Sequence, residues 1–347
     1  MKKTIFCLAA GAMALTACTS TDVIEEGIQS NAIGFQNVVS KNTRAIDSKD
    51  DLTTFYVYGF YTKKDFETSP VVIFDGDKVT GSGNTWSYGD TYRYWVPDMT
   101  YKFYAYSCEN NQSALGANGS ASMSFDEYGE PTVGIDGYLC SNDHQHDLLF
   151  AKKDDGIVGK QNNNEKVSFN FNHILSKLKV KFVSGFPAGY DLKISAVQLS
   201  NVYTKGDYTV TPSTAEWTIT EGTSADGTLS VAVPDDKNTA SAKTDEANAV
   251  DVLTNEIYVI PHKYTTTNVG IRFRVDITNG DTPVMSRVFS GTWTPNWASG
   301  TAYTYTINIS GENASLEKIE FGDMNVGTWS EVAGPTLTFG APTNPAN

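Results

Sequence analysis

The chain has 347 residues, 12% aromatic and 19% charged, with 26 basic against 40 acidic side chains and a formal net charge of −14. That length and aromatic content suffice for the cores of two ordinary domains. A surface this acidic, without a Lys/Arg-rich stretch, repels anionic headgroups and excludes nucleic-acid binding.

At the start, Lys2 and Lys3 precede Ile5–Leu15, an apolar run too short to span a bilayer as a mature helix. Leu15-Thr16-Ala17-Cys18 follows, and small residues before a cysteine suit a lipoprotein signal peptidase. Residues 1–17 therefore read as a signal peptide and Cys18 as the lipidation site. Its thiol takes a diacylglyceryl group and its amine an acyl chain, which together hold the protein on a membrane. Cleavage removes two lysines and no acid, so the mature charge is −16. Asp22, Glu25 and Glu26 lie in the polar tether that follows.

The first strand is expected at Ala32–Val39, with Ile33, Phe35 and Val39 on one face, followed by an accessible polar stretch, Ser40 to Arg44. Beyond it the period is two almost throughout: Phe55–Tyr61, Tyr101–Tyr106, Val167–Asn172, Leu178–Val183, Gly270–Ile277 and Ala302–Ile309 alternate apolar with polar or tyrosine positions. Clusters such as Gly81-Ser82-Gly83-Asn84, Asp226-Gly227 and Asn279-Gly280-Asp281 read as turns. A helical period is confined to about one turn around His173–Lys177. The expectation is an all-β protein of two antiparallel sandwich domains, each sheet packed on one face. Lys152–Lys166 lacks an apolar period and reads as the junction, so the domains are placed at 45–158 and 159–347. After Trp329 one short strand candidate remains, Thr336–Phe339.

Few residues suggest chemistry. Asp154–Glu165 has the length of an EF-hand loop, but Gly156 and Val158 stand where side-chain oxygens are needed, so it reads as a linker. His144-Gln145-His146-Asp147 has metal-like spacing, yet the chain offers only His173 and His262 besides, and solvated loop histidines are the expected reading. Trp293 and Trp297 beside Pro295 would suit a sugar platform or, as aromatics more often do, a sandwich core. No nucleophile elbow, zincin motif or phosphate loop occurs, so no catalytic residue, cofactor or metal is assigned. Cys7 leaves with the signal. Cys108 and Cys140 either pair in an oxidising compartment or stand as two separate buried thiols.

Several motifs in order resemble the fimbrillin family, the lipoprotein-precursor pilins of type V pili. They are the LTAC box, Thr43-Arg44-Ala45, Tyr92-Arg93-Tyr94-Trp95-Val96-Pro97 leading into Tyr101-Lys102-Phe103-Tyr104-Ala105-Tyr106, His146-Asp147-Leu148-Leu149-Phe150-Ala151, Phe171 to Val180, and Trp297 followed by Tyr303-Thr304-Tyr305-Thr306-Ile307 and by Ile319 to Trp329. The resemblance implies two transthyretin-like sandwiches. It also implies that an arginine-specific, gingipain-like protease cuts between Arg44 and Ala45, freeing the lipidated segment 18–44 with its strand Ile33, Phe35, Val39. A neighbouring pilin's C-terminal strand, carrying Leu337 and Phe339, would then fill the groove by β-strand addition. Repeated head to tail, that contact gives a homo- or hetero-polymer, a fimbria supporting adhesion, with this chain as a stalk or tip subunit. Before processing, the lipid holds the chain to the outer membrane at the cell surface. The alternative is a monomeric surface lipoprotein that binds glycan or another nutrient.

Overall fold

The computed structural model describes residues 31–39, 52–63, 69–82, 85–108, 115, 118–160, 165–219, 227–241, 250–265, 267–310 and 325–326. Period-two patterning makes strands nearly everywhere among them. In the first half of the chain these are β1 (Gly34–Val39), β2 (Thr54–Lys63), β3 (Val71–Ser82), β4 (Thr85–Ser87), β5 (Met99–Cys108), β6 (Ser120–Phe125), β7 (Pro131–Leu139), β8 (Leu148–Val158) and β9 (Lys166–His173). The second half continues with β10 (Ser176–Ser184), β11 (Tyr190–Val202), β12 (Lys205–Val210), β13 (Ala215–Ile219), β14 (Gly227–Val231), β15 (Thr239–Ser241) and β16 (Val252–Leu253). It ends with β17 (Ile257–Val259), β18 (Val269–Asn279), β19 (Thr282–Trp293), β20 (Ala302–Ile309) and β21 (Asn325–Val326). The protein is all-β, as expected. The helical turn expected at His173–Lys177 is instead a two-residue crossing, Ile174–Leu175, from β9 to β10.

Four sheets form. The first runs β1-β9-β8-β5-β2-β3-β4 and the second β13-β12-β7-β6. The third runs β16-β10-β20-β21 with β17 also on β10, and the fourth β14-β11-β18-β19 with β15 also on β11. Neighbouring strands are antiparallel except at two places, where β1 runs parallel to β9 and β10 parallel to β20.

The first sheet curls until β1 and β4 approach each other, and its concave face encloses one core of Ile33, Phe35, Phe55, Val57, Phe103, Phe169 and their neighbours. Its convex face is covered by the second sheet, giving a second core of Tyr58, Phe60, Tyr104, Tyr106, Val133, Ile135 and Tyr208. Strands β2, β5 and β8 are therefore buried on both sides, which differs from the expected one-faced packing. The physical reason is that the alternating tyrosines of β5 present rings rather than charges, so the second sheet can close over them, and burial lifts the Tyr104 and Tyr106 hydroxyls well above the usual tyrosine range. Gly59 allows the close approach within the first core, because a Cβ there would lie 2.6 Å from the Phe103 ring. The third core is a sandwich in the expected sense. Ile271, Phe273, Val275 and Ile277 of β18 face Leu178, Val180 and Phe182 of β10, while Arg272 and Arg274 point to water.

The placed boundary at 158/159 falls between β8 and β9, which pair in the first sheet. Residues 152–158, read as linker, continue β8, where Lys152 pairs Asp154 and Lys153 pairs Asp155 across a tight bulge. The β12–β13 hairpin, from the second half of the chain, adds to β7 through Val210↔Val133 and Tyr208↔Ile135. Where the chain passes into the third sheet it is clamped. Leu175 O accepts from Gly300 N at 2.9 Å and Thr301 O accepts from Lys177 N at 3.0 Å. Asn142 acts as a piece of strand against β14, donating to Thr228 O at 3.3 Å and accepting from Ser230 N at 2.7 Å.

Candidate functional site

β1 stands at one end of the first sheet and sends its inward side chains into the first core. Ile33 and Phe35 are each 1% exposed because alternation sends both into the first core. The Phe35 ring stacks on Phe169 at 5.9 Å and meets Phe55, Phe74, Tyr88 and Phe103 edge-on at 5.3–6.2 Å. Burying two such side chains stabilises the fold by roughly 1.5–3 kcal/mol each.

Both backbone edges of the β1 segment are engaged. On one side Gly34 to Val39 pair in parallel with Lys166 to Phe171. On the other, Ile33 N donates to Arg93 O at 2.8 Å, Trp95 N donates to Asn31 O at 3.2 Å, and Asn31 Nδ2 donates to Trp95 O at 3.2 Å. The Tyr88 hydroxyl donates to Ile33 O at 2.8 Å and accepts from Arg93 N at 3.2 Å. Arg93 is itself fixed. Its guanidinium lies 4.7 Å over Phe74, bonds Asp77 at 2.6 Å and Ile73 O at 2.8 Å, and so holds its own carbonyl where Ile33 needs an acceptor. Burial raises the Tyr88 hydroxyl above the usual tyrosine range despite the nearby Arg93 charge, which keeps it a donor. Lifting β1 out would leave an apolar trough walled by aromatic rings and lined by unpaired backbone groups, each costing about 1–3 kcal/mol if left dry and unbonded.

Of the residues singled out from sequence, Ile33 and Phe35 thus meet in one core, and Val39 pairs through its backbone with Phe171. Cys18, Arg44, Ala45, Leu337 and Phe339 lie outside the described residues. Cys108 and Cys140 are both buried within the second core and are not joined in a disulfide. Cys140 Sγ donates to Tyr258 O at 3.0 Å, and burial pushes its pKa up to about 12, so it stays a thiol. Trp293 and Trp297 are 6% and 2% exposed, and Trp297 Nε1 donates to Tyr305 Oη at 2.8 Å. They fill the third core and offer no platform to a sugar.

His144 is buried, not solvated as expected. Its Nδ1 lies 3.0 Å from the Asn118 amide, and burial, helped by His146, lowers its pKa. Asp147 is fully buried and its carboxylate lies 2.6 Å from His173 Nδ1, a close polar contact between the start of β8 and the end of β9. Among the described residues no group of three or more His, Cys, Asp or Glu side chains is placed to hold a metal. Sequence reasoning missed Tyr88 and the Asp147–His173 pair. Arg93 stood within a quoted motif, but its role depends on Asp77 and Phe74 from β3, which spacing does not reveal.

Comparison with known proteins adds the family. The fimbrillin-like family matches residues 43–329. Among solved structures, a candidate cell adhesion protein of Bacteroides uniformis is similar at 17% identity and a TM-score of 0.47, covering 86% of this chain and 98% of that one. Another from Bacteroides ovatus has 13% identity and a TM-score of 0.48, covering 89% and 97%. A candidate adhesin of Bacteroides thetaiotaomicron has 9% identity and a TM-score of 0.42, covering 89% and 98%. No curated protein matches. With most of its length matched, the chain belongs to the fimbrillin-like family, whose members are structural cell-surface proteins and not enzymes.

Proposed function

We propose that this chain is a stalk or tip pilin that is exported as a lipoprotein through Cys18, cut after Arg44 by an arginine-specific protease, and polymerised by exchange of β1 for a strand of a neighbouring subunit. The observation that carries the reading is the setting of β1. It approaches β4 across the curled first sheet, supplies Phe35 to the centre of a core, and is bonded to β9 along one edge and, at its entry, through Asn31 and Ile33 to Arg93 and Trp95, yet it is followed by a polar stretch containing Arg44. Cutting that stretch leaves β1 attached only by contacts another strand can copy. The tail offers such a strand. Thr336-Leu337-Thr338-Phe339-Gly340 repeats the aliphatic-x-Phe spacing of Ala32-Ile33-Gly34-Phe35-Gln36, so Leu337 would take the Ile33 site and Phe339 the Phe35 site. Head-to-tail use of that contact does not close, and a filament follows.

The test is the N-terminus and the assembly state of the protein released from cells. Wild-type material is expected to begin at Ala45 and to run as ladders on mild gels. Arg44→Ala is expected to keep the lipidated N-terminus and stay monomeric. Unchanged ladders from that variant would refute the cut site, and a monomer retaining Cys18 in the wild type would refute exchange.

A further inference from the structure

An apolar rim surrounds the entrance of β1. The strands that end or begin there are β2 at Lys63, β3 at Val71, β5 at Met99, β8 at Val158 and β9 at Lys166, with β1 entering at Gly34. Of the ten large apolar side chains exposed among the described residues, six are at this one end: Val71, Val72, Tyr92, Tyr94, Val96 and Val158, exposed by 38–46%. Tyr92, Tyr94 and Val96 alternate outward from the extended segment whose inward partners are Arg93 and Trp95. That segment is the one bonded to β1, through Ala32↔Tyr94 and Ile33 N to Arg93 O. Val158 adjoins it, since the next residue, Gly159, packs directly on the Val96 carbonyl. A cluster of this kind on a water-facing surface marks a contact site.

Chain direction says what meets it. An incoming strand that copies the bonds of β1 runs parallel to β9 and enters where β1 enters. In the donating copy the folded body precedes the tail, with Val326 only eleven residues before Leu337, at most about 40 Å of extended chain. The donor's body therefore comes up against the rim. Cut after Arg44, each copy carries a net charge of −15 and the two repel, and none of the six rim side chains carries charge. We infer that this rim is the body-to-body contact with the donating copy of the same chain, outside the groove, an inference that rests on the strand-exchange reading above. The tyrosines supply rigid, amphipathic contact area of the kind that dominates interface energetics.

The test separates rim from groove. The full chain, treated with an arginine-specific protease, is compared with Tyr94→Ser/Val96→Ser/Val158→Ser and with Val284→Ser, an exposed valine of β19 in the fourth sheet. Two readouts are taken: binding of a synthetic peptide of residues 331–347, and filament yield by sedimentation. The rim variant is expected to bind the peptide as wild type does while its polymerisation falls about tenfold or more, the equivalent of 1.4 kcal/mol. Val284→Ser should behave as wild type in both. Polymerisation of the rim variant at the wild-type level overturns the inference, and if adsorption to phosphatidylethanolamine–phosphatidylglycerol vesicles is lost instead, the rim is a membrane contact. Loss of peptide binding in the rim variant overturns it too, because the residues then act on the groove. A wild-type chain that neither binds the peptide nor polymerises brings down the exchange reading and this inference together.

Discussion

Trp217 donates its indole N–H to the Ile174 carbonyl at 2.6 Å, across 43 residues of sequence. A hairpin of the second sheet thereby grips the crossing between the first and third sheets, and with Gly300 and Thr301 bonded on the other side the passage has no slack. Trp217→Phe keeps a six-membered aromatic ring and removes the donor together with the pyrrole part of the indole. It is expected to cost about 1–2 kcal/mol in denaturant titration and to speed amide exchange at Leu175 and Lys177 more than elsewhere.

Tyr88→Phe removes the hydroxyl that ties Arg93 N to Ile33 O while leaving the ring against Phe35. The precursor is expected to lose about 1–2 kcal/mol, with the extra exchange confined to Ile33 and Arg93. Uniform loosening of the whole first sheet would argue against a local clasp.

Asp147→Ala leaves His173 buried without its carboxylate partner. Leaving a buried polar group without its partner costs about 1–3 kcal/mol, a sizeable share of a typical domain's stability. Chemical denaturation is the measurement, and the double variant Asp147→Ala/His173→Ala should cost less than the two single losses added.

His144 and His262 both have pKa values lowered from 6.5, the first by burial and the His146 charge, the second by burial. The unfolded chain therefore takes up protons near pH 6.5 that the folded protein refuses. Stability from these two sites is complete above that pH and is lost as pH falls through it. The urea midpoint should drop between pH 7.5 and 5.5, with a shallower slope in His144→Gln. At the alkaline end, Cys140 is held as a thiol up to about pH 12 against 9.0, so its contribution disappears as pH rises between those values.

How much of this was legible in the sequence differs from strand to strand. Strands with a water-facing side, such as β18 and β20, announce themselves, because Arg272, Arg274 and Thr304 mark the outer face. Ile33 and Phe35 were readable as inward partners for the same reason. The double burial of β5 was not, since a tyrosine serves equally at a surface or in a core and the covering sheet includes β12, about a hundred residues later. Nor does period two encode strand direction, so the parallel β1–β9 and β10–β20 pairs were hidden. The clasp around β1 was hidden because Tyr88, Arg93 and Asp77 act only through their mutual placement.

The direction of β1 has a thermodynamic consequence. Running parallel to β9, the strand has its two ends at opposite poles of the curled sheet, so a cut in residues 40–50 frees only the far end and draws nothing out by itself. Before the cut, the strand behaves as an intramolecular ligand at an effective concentration on the millimolar scale, beyond the reach of any competitor in dilute solution. Once cut, it would be an ordinary bound peptide with its own dissociation rate, and occupancy of the trough would follow each strand's affinity and local concentration. Proteolysis on this scheme supplies no force. It would turn a unimolecular equilibrium into a bimolecular one, in which the local concentration of subunits acts alongside affinity.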